Sequence, residues 1–323
     1  MLRSPTGLHW LIPHASAASD AGAAALATLQ WPNLSQLLAR LSATDRSEGD
    51  EYTLSMPHER ALARLHGWQG ADGQWPFAAW AAQQDGCLSA PSNASADGWG
   101  LITPCHWHVG SDSVSLIDPA ALALGADESR ALLEALRPSF EAEGWQLQWG
   151  APLRWYARHQ VLAELKTASL ERAIGRNLDL WLRGKDPDAR RLRRLQVEAQ
   201  MLWHEHPVNE TREARGALAV NSFWLSGCGR PQPSQLPAEL QIDTTLPAAM
   251  LAGDWAGWCE AWRALDAGPV AELLARAQRG EAVTLTLCGE RHAQTYELRP
   301  RGWLTRLRSR WQPPAVGALL AAL

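Results

Sequence analysis

The stretch 204–230, HEHPVNETREARGALAVNSFWLSGCGR, constrains this chain more than any other part of it. Asn209, Arg212, Arg215, Gly216, Asn221, Trp224, Gly227 and Gly229 crowd a short window with few core aliphatics. Glycines at such intervals let the backbone turn tightly, or approach a ligand or another strand closely. Arginine offers a planar fork that matches phosphate or carboxylate oxygens, and asparagine adds directional donors without charge. Two readings stand side by side. The window is an anion site, or it is a buried polar network in which Asn209 and Asn221 satisfy loop carbonyls.

A chain of 323 residues suits one large domain, or a core with a smaller second one. Hydrophobic content of 46% and charged content of 20% describe a globular protein able to bury a sizeable core. A formal net charge of −4 argues against a dedicated nucleic-acid binder, which carries a broad basic surface. Eighteen tryptophans stand against three phenylalanines and three tyrosines, scattered without a period, and read as core and layer-contact residues. The cysteines at 87, 105, 228, 259 and 288 form no C-x-x-C pair, which favours reduced, mostly buried thiols. The opening segment lacks a continuous signal-peptide core and the terminal LLAAL run is too short to span a membrane. A soluble cytoplasmic protein without a membrane partner is expected.

Strand signals fall on LHWLIP (8–13), 114–117, 145–156 and VTLTLC (283–288). Helical periodicity marks 21–30 and 33–42, broken at Trp31-Pro32, then 58–66, 127–143, 192–202 and 269–278. Asp127 is the expected N-cap of its helix and Gly144 the expected stop. Charged 46–52 reads as a loop, and much of 69–100 reads as irregular surface structure. The block around 114–156 has β-α-β-β order, a small α+β unit.

The pattern N-x-x-R-x-x-x-G…N-x-x-W-x-x-G-x-G in 209–229 resembles a segment of archaeal-type, cofactor-independent phosphoglycerate mutases of the alkaline phosphatase superfamily. Trp31-Pro32-Asn33-Leu34 is similar to an early element of that family, and Arg154 with Tyr156 to a pair that closes its inserted domain. From end to end the chain also resembles a bacterial phosphoglycerate-mutase-like family of RpfE-type regulatory proteins, through HERALARLHGW and HPVNETREARG. The resemblance implies an α/β, alkaline-phosphatase-like core formed by 1–97 and 166–323. It implies an inserted small α+β domain at 98–165.

The same resemblance implies two divalent ions and a serine nucleophile, at three places along the chain. After the first strand, where a metal-binding aspartate belongs, the chain has His14-Ala15-Ser16. Counting back from Leu65 and Gly67, the nucleophile position holds His58-Glu59, and Ser55 would serve only in a slipped register. After VTLTLC, the late metal motif corresponds to Glu290-Arg291-His292, with a cation-repelling arginine in the histidine's place. All three depart from the pattern, so the expectation is an eroded site with no cofactor.

Two histidine pairs are candidate ligands. His106 with His108 and His204 with His206 each lie two apart, which on extended backbone sets both on one face. They can hold zinc or manganese, or contact an anion directly, with His58 a further candidate; Glu290 and His292 are the other metal candidates. The plainer alternative has one histidine of each pair capping backbone while the other is solvated. The ligand-contacting set is then His106, His108, Arg154, Asn209, Arg212, Arg215 and Asn221, with the 206–229 segment and the His106/His108 strand lining one pocket. The leading expectation is a non-catalytic, regulatory binder of a small phosphorylated or carboxylated ligand. The alternatives are an active mutase or phosphohydrolase with an unusual Mn or Zn set, and a partner-binding or homo-oligomeric protein with a tryptophan-rich surface.

Overall fold

A computed structural model describes residues 7–88, 97–182, 187–299 and 314–323. They form a mixed α/β fold with two sheets. The chain opens with β1 (Leu8–Ile12), followed by α1 (Asp20–Ala27) and α2 (Pro32–Leu38). Pro32 takes the first helical position, where a missing N–H is tolerated, so the Trp31-Pro32 break separates two helices. After β2 (Ser42–Ser47), α3 (Pro57–His66) starts on Pro57 in the same way.

The middle of the chain supplies α4 (Phe77–Gln84), the long β3 (Gly98–Val109), β4 (Val114–Ile117), α5 (Ala126–Ala142), β5 (Gln146–Ala151) and β6 (Arg154–His159). Then come α6 (Leu170–Ala173), α7 (Pro187–His204), α8 (Pro207–Ala214) and β7 (Ser222–Gly229). The remainder holds β8 (Leu240–Ile242), α9 (Thr245–Leu251), α10 (Trp255–Leu265), α11 (Ala271–Gln278), β9 (Val283–Cys288), β10 (Ala293–Glu297) and α12 (Val316–Ala321).

Two compact units result, Met1–Gly67 with Gln235–Leu323, and Trp68–Ser234. These boundaries differ from the expected insertion at 98–165. The reason is β7, which pairs antiparallel with β3 from Trp99 to Cys105 and so ties the 166–234 region to the same sheet. In the first unit the strand order is β2-β10-β9-β1-β8, with β8, β1 and β9 parallel and β10 and β2 antiparallel to their neighbours. All six positions of β9 are buried, as a parallel strand covered on both faces requires. Leucines of α2 and Trp258 and Trp262 of α10 pack against it.

In the second unit the order is β4-β3-β6-β5, with β7 along β3. Helix α5 brings Leu132, Leu133, Leu136 and Phe140 to the core, and α7 brings Leu192, Leu195, Ala199 and Trp203. The α5 start is shifted from expectation. Gly125 is the N-cap and Glu128 reaches back to its N–H at 3.0 Å, leaving Asp127 in the first turn. Gly144, at φ 79°, follows the helix in the left-handed conformation expected of its stop.

Two other expectations change. The 69–100 region contains α4 and the start of β3, although 89–96 lies outside the described residues. The charged 46–52 segment begins inside β2, an edge strand on which alternating exposed side chains are a normal safeguard. The described tryptophans are buried or half-buried. Trp145, Trp155, Trp203, Trp258 and Trp262 are fully buried, and no tryptophan is among the exposed large hydrophobics of the described residues. Among the described residues no helix is long and apolar enough to cross a membrane.

Candidate functional site

The polar window of 204–230 folds into the end of α7, the whole of α8 and β7, and its side chains turn mostly inward. Asn209 is buried and donates Nδ2 to Trp203 O and Val220 O, both at 2.8 Å, while its Oδ1 accepts from Val220 N at 2.8 Å. Asn221 accepts from Trp107 N at 2.7 Å and donates to Trp107 O at 2.9 Å. Its side-chain amide thus continues the β3 ladder by one more peptide-like pair beyond Ser222. The fork of Arg212 is wholly buried and divided among Leu218 O, Glu128 and Leu122 O. Arg215, on the surface, donates to the other Glu128 oxygen at 2.7 Å.

The two arginines do converge on an anion, but the chain provides it. Burial alone would raise the Glu128 carboxyl. The Gly125 N–H and the charges of Arg212 and Arg215 outweigh that and hold it below the usual carboxylate range. This corrects the assignment of Arg212 and Arg215 as ligand contacts: they join α8 to the start of α5. Arg154 is likewise committed, forking to both oxygens of Asp85 at 3.0 Å, with Tyr156 donating to the same carboxylate at 2.6 Å. The hydrogen bonds from Arg154 are the largest cause of the lowered Asp85 pKa.

A cavity of about 930 Å³ opens beside this network, within the second unit, and His106, Met201, His204, Asn209 and Asn221 are among its walls. The expected shared pocket is therefore present in part. His106 Nδ1 donates to Ala219 O at 2.8 Å, and Nε2 is the ring's remaining polar atom. His108 is exposed and lies outside the cavity lining. His204, exposed at the end of α7, lines the cavity, while His206 caps α8 by accepting from Val208 N at 3.2 Å. Each pair thus follows the plainer pattern, one ring bonded to backbone and the other solvated. The cavity wall also carries Glu205 and Glu213.

The three positions where the resemblance places catalysis all lie in the first unit, two of them directly after the parallel strands β1 and β9, at the strand ends where open α/β sheets gather their ligands. Behind β1, His14 adopts a positive φ of 49°, and Ala15 N donates to Cys288 O at 2.7 Å. The His14 and His58 rings lie 5.5 Å apart, tilted by 51°, and both are buried. Ser55 is buried too, its carbonyl accepting from Arg60 at 2.6 Å. Glu290 accepts from Ala18 N at 3.2 Å, and His292 Nδ1 from Gly49 N at 3.3 Å. Burial lowers the His292 pKa. Arg291 reaches Glu51 at 3.4 Å, and its carbonyl accepts from Arg60 at 2.7 Å.

His14 and His58 each present a ring nitrogen within 4.8 Å of the other, two of the donors a tetrahedral zinc would take. At the three positions named by the resemblance stand imidazole, imidazole and guanidinium, of His14, His58 and Arg291. Among the described residues, none of His204, His206, Glu290 and His292 falls in a group of three or more clustered metal-ligand side chains. Sequence reasoning missed Glu128 and Asp85, the carboxylates that engage the arginines. The only local signal was Glu128 at the third position of a helix, where a capping side chain belongs.

No protein-family model matches the chain, and no curated protein does. Solved structures similar to it include two of archaeal proteins. One is a cofactor-independent phosphoglycerate mutase from Thermoplasma acidophilum, 13% identical over 90% of this chain and 89% of that one, with a TM-score of 0.35. The other is the PH0037 protein from Pyrococcus horikoshii, 12% identical over 94% and 93%, with a TM-score of 0.44.

Proposed function

We propose that this chain is a phosphoglycerate-mutase-like protein with an alkaline-phosphatase-like core that acts by binding, as a regulatory or accessory protein, and not by turnover. The observation that carries the reading is the contact of His14 with His58. Positions far apart in sequence, picked out by the resemblance as metal ligand and nucleophile, lie side by side at the strand ends. Neither residue there can play its expected part: a phosphomutase of this kind needs a hydroxyl to carry the phosphoryl group and carboxylates to hold two cations. The segment that carries the resemblance has a structural role, since Asn209, Arg212 and Asn221 hold the second unit together.

The small phosphorylated or carboxylated ligand is assigned to the cavity of the second unit, with His106 and His204 as its polar contacts and no role for Arg212 or Arg215. Thermal melts with 3-phosphoglycerate test the binding. An upward shift in the wild type that is lost in His106→Ala is expected. No shift at millimolar ligand, or a shift unchanged in His106→Ala, contradicts the assignment.

A further inference from the structure

Helix α7 buries one stripe and displays another. Leu192, Leu195, Ala199 and Trp203 face the core, while Arg190, Arg194, Val197, Met201 and His204 follow the opposite side at helical spacing. Val197 is 51% and Met201 73% exposed, large values for apolar side chains on one short face. Across the cavity mouth stands Val109, at the tip of β3, 76% exposed. Charge divides this face into halves. Arg190 and Arg194 lie before the apolar patch, and Glu205, on the cavity wall, lies just past it.

A face that is basic at one end, apolar in the middle and acidic at the other is complementary to itself turned around. We infer that it is the contact surface for a second copy of this chain, the two α7 helices packing antiparallel about a two-fold axis near Ala199. In an isologous contact each residue meets its mirror position along the helix. Arg194 lies five residues before Ala199 and Glu205 six after it, about 8 and 9 Å along the axis at 1.5 Å per residue. Arg194 of each copy therefore reaches Glu205 of the other, while Val197 and Met201 pack at the centre. Arg194 also touches Glu143 and Glu198 of its own chain, and these exposed pairs exchange readily with solvent. Antiparallel helices also set opposite dipole ends together. One helix pair buries less area than a stable dimer needs, so the inferred contact extends to Val109 and the cavity rim. The inference is independent of the catalytic reading, but its face includes part of the rim of the ligand cavity, so the solution mass is measured without ligand.

The test is the solution mass of the full-length protein across a hundredfold concentration range, by sedimentation or light scattering. A dimer is expected, with a dissociation constant raised at least tenfold in Met201→Glu. Arg194→Glu and Glu205→Arg are each expected to weaken it, and the double variant Arg194→Glu/Glu205→Arg to restore it, because the swapped charges again face each other. These side chains are exposed, and an unchanged circular dichroism melt verifies folding. A wild type that stays monomeric throughout overturns the inference. So does a dimer indifferent to Met201→Glu, or a double variant no tighter than either single one.

Discussion

Arg212 sets its Nη1 2.7 Å from Glu128 Oε2 with its side chain entirely out of solvent, whereas Arg215 approaches the same carboxylate from the surface, 52% exposed. Two arginines three residues apart in one motif thus have unequal roles. Replacing Arg212 with Ala leaves a carboxylate and two carbonyls without their buried donor, and should lower the unfolding free energy by about 3–5 kcal/mol. Replacing Arg215 with Ala should cost under about 1 kcal/mol. Urea unfolding of both variants measures the difference. Equal losses would mean that burial does not set the roles of this pair.

Asn221 pairs with both backbone groups of Trp107. In Asn221→Asp the Trp107 N–H keeps its acceptor, but the Trp107 carbonyl faces an oxygen in place of a donor. A loss of about 1–3 kcal/mol follows, with hydrogen exchange at the far end of β3 speeding up first. An unfolding free energy equal to that of the wild type would count against a ladder role for this side chain.

Burial lowers the pKa of His9, whose Nε2 lies 2.9 Å from Thr286 Oγ1, from 6.5 to about 4, and that of His66 likewise to about 4. Between those values the unfolded chain binds protons that the folded chain refuses. Their contribution is complete above pH 6.5 and is lost as pH falls toward 4, on the order of 3 kcal/mol for His9. His9→Gln should flatten the fall in denaturation midpoint over that range. A slope identical to that of the wild type would show that His9 takes up its proton in the folded state.

Much of the architecture was legible because the deciding information is local. VTLTLC is a strand at the expected residues, and the stripe Leu192, Leu195, Ala199 and Leu202 correctly marked α7, although Leu202 itself is exposed and Trp203 takes the core position. Strand β7 was not legible. SFWLSGCG is buried on both faces, so it shows no alternation, and its serines and glycines look like loop residues. Missing β7 displaced the domain boundary, since its partner β3 lies over a hundred residues earlier. Arg212 was misread for a similar reason. Its carboxylate partner is 84 positions away, and an arginine's chemistry does not tell whether its anion is a ligand or a neighbour. His14 and His58 were found by counting from the resemblance, and their contact could be seen only in the fold.

The central claim is that the strand-end site lacks mutase chemistry, and the interconversion of 3- and 2-phosphoglycerate tests it most directly. Purified full-length protein supplied with manganese or zinc should give no turnover above blank, and Ser55→Ala should change nothing. Turnover that disappears in Ser55→Ala would contradict the account: it would make the buried Ser55 the nucleophile and establish the slipped register.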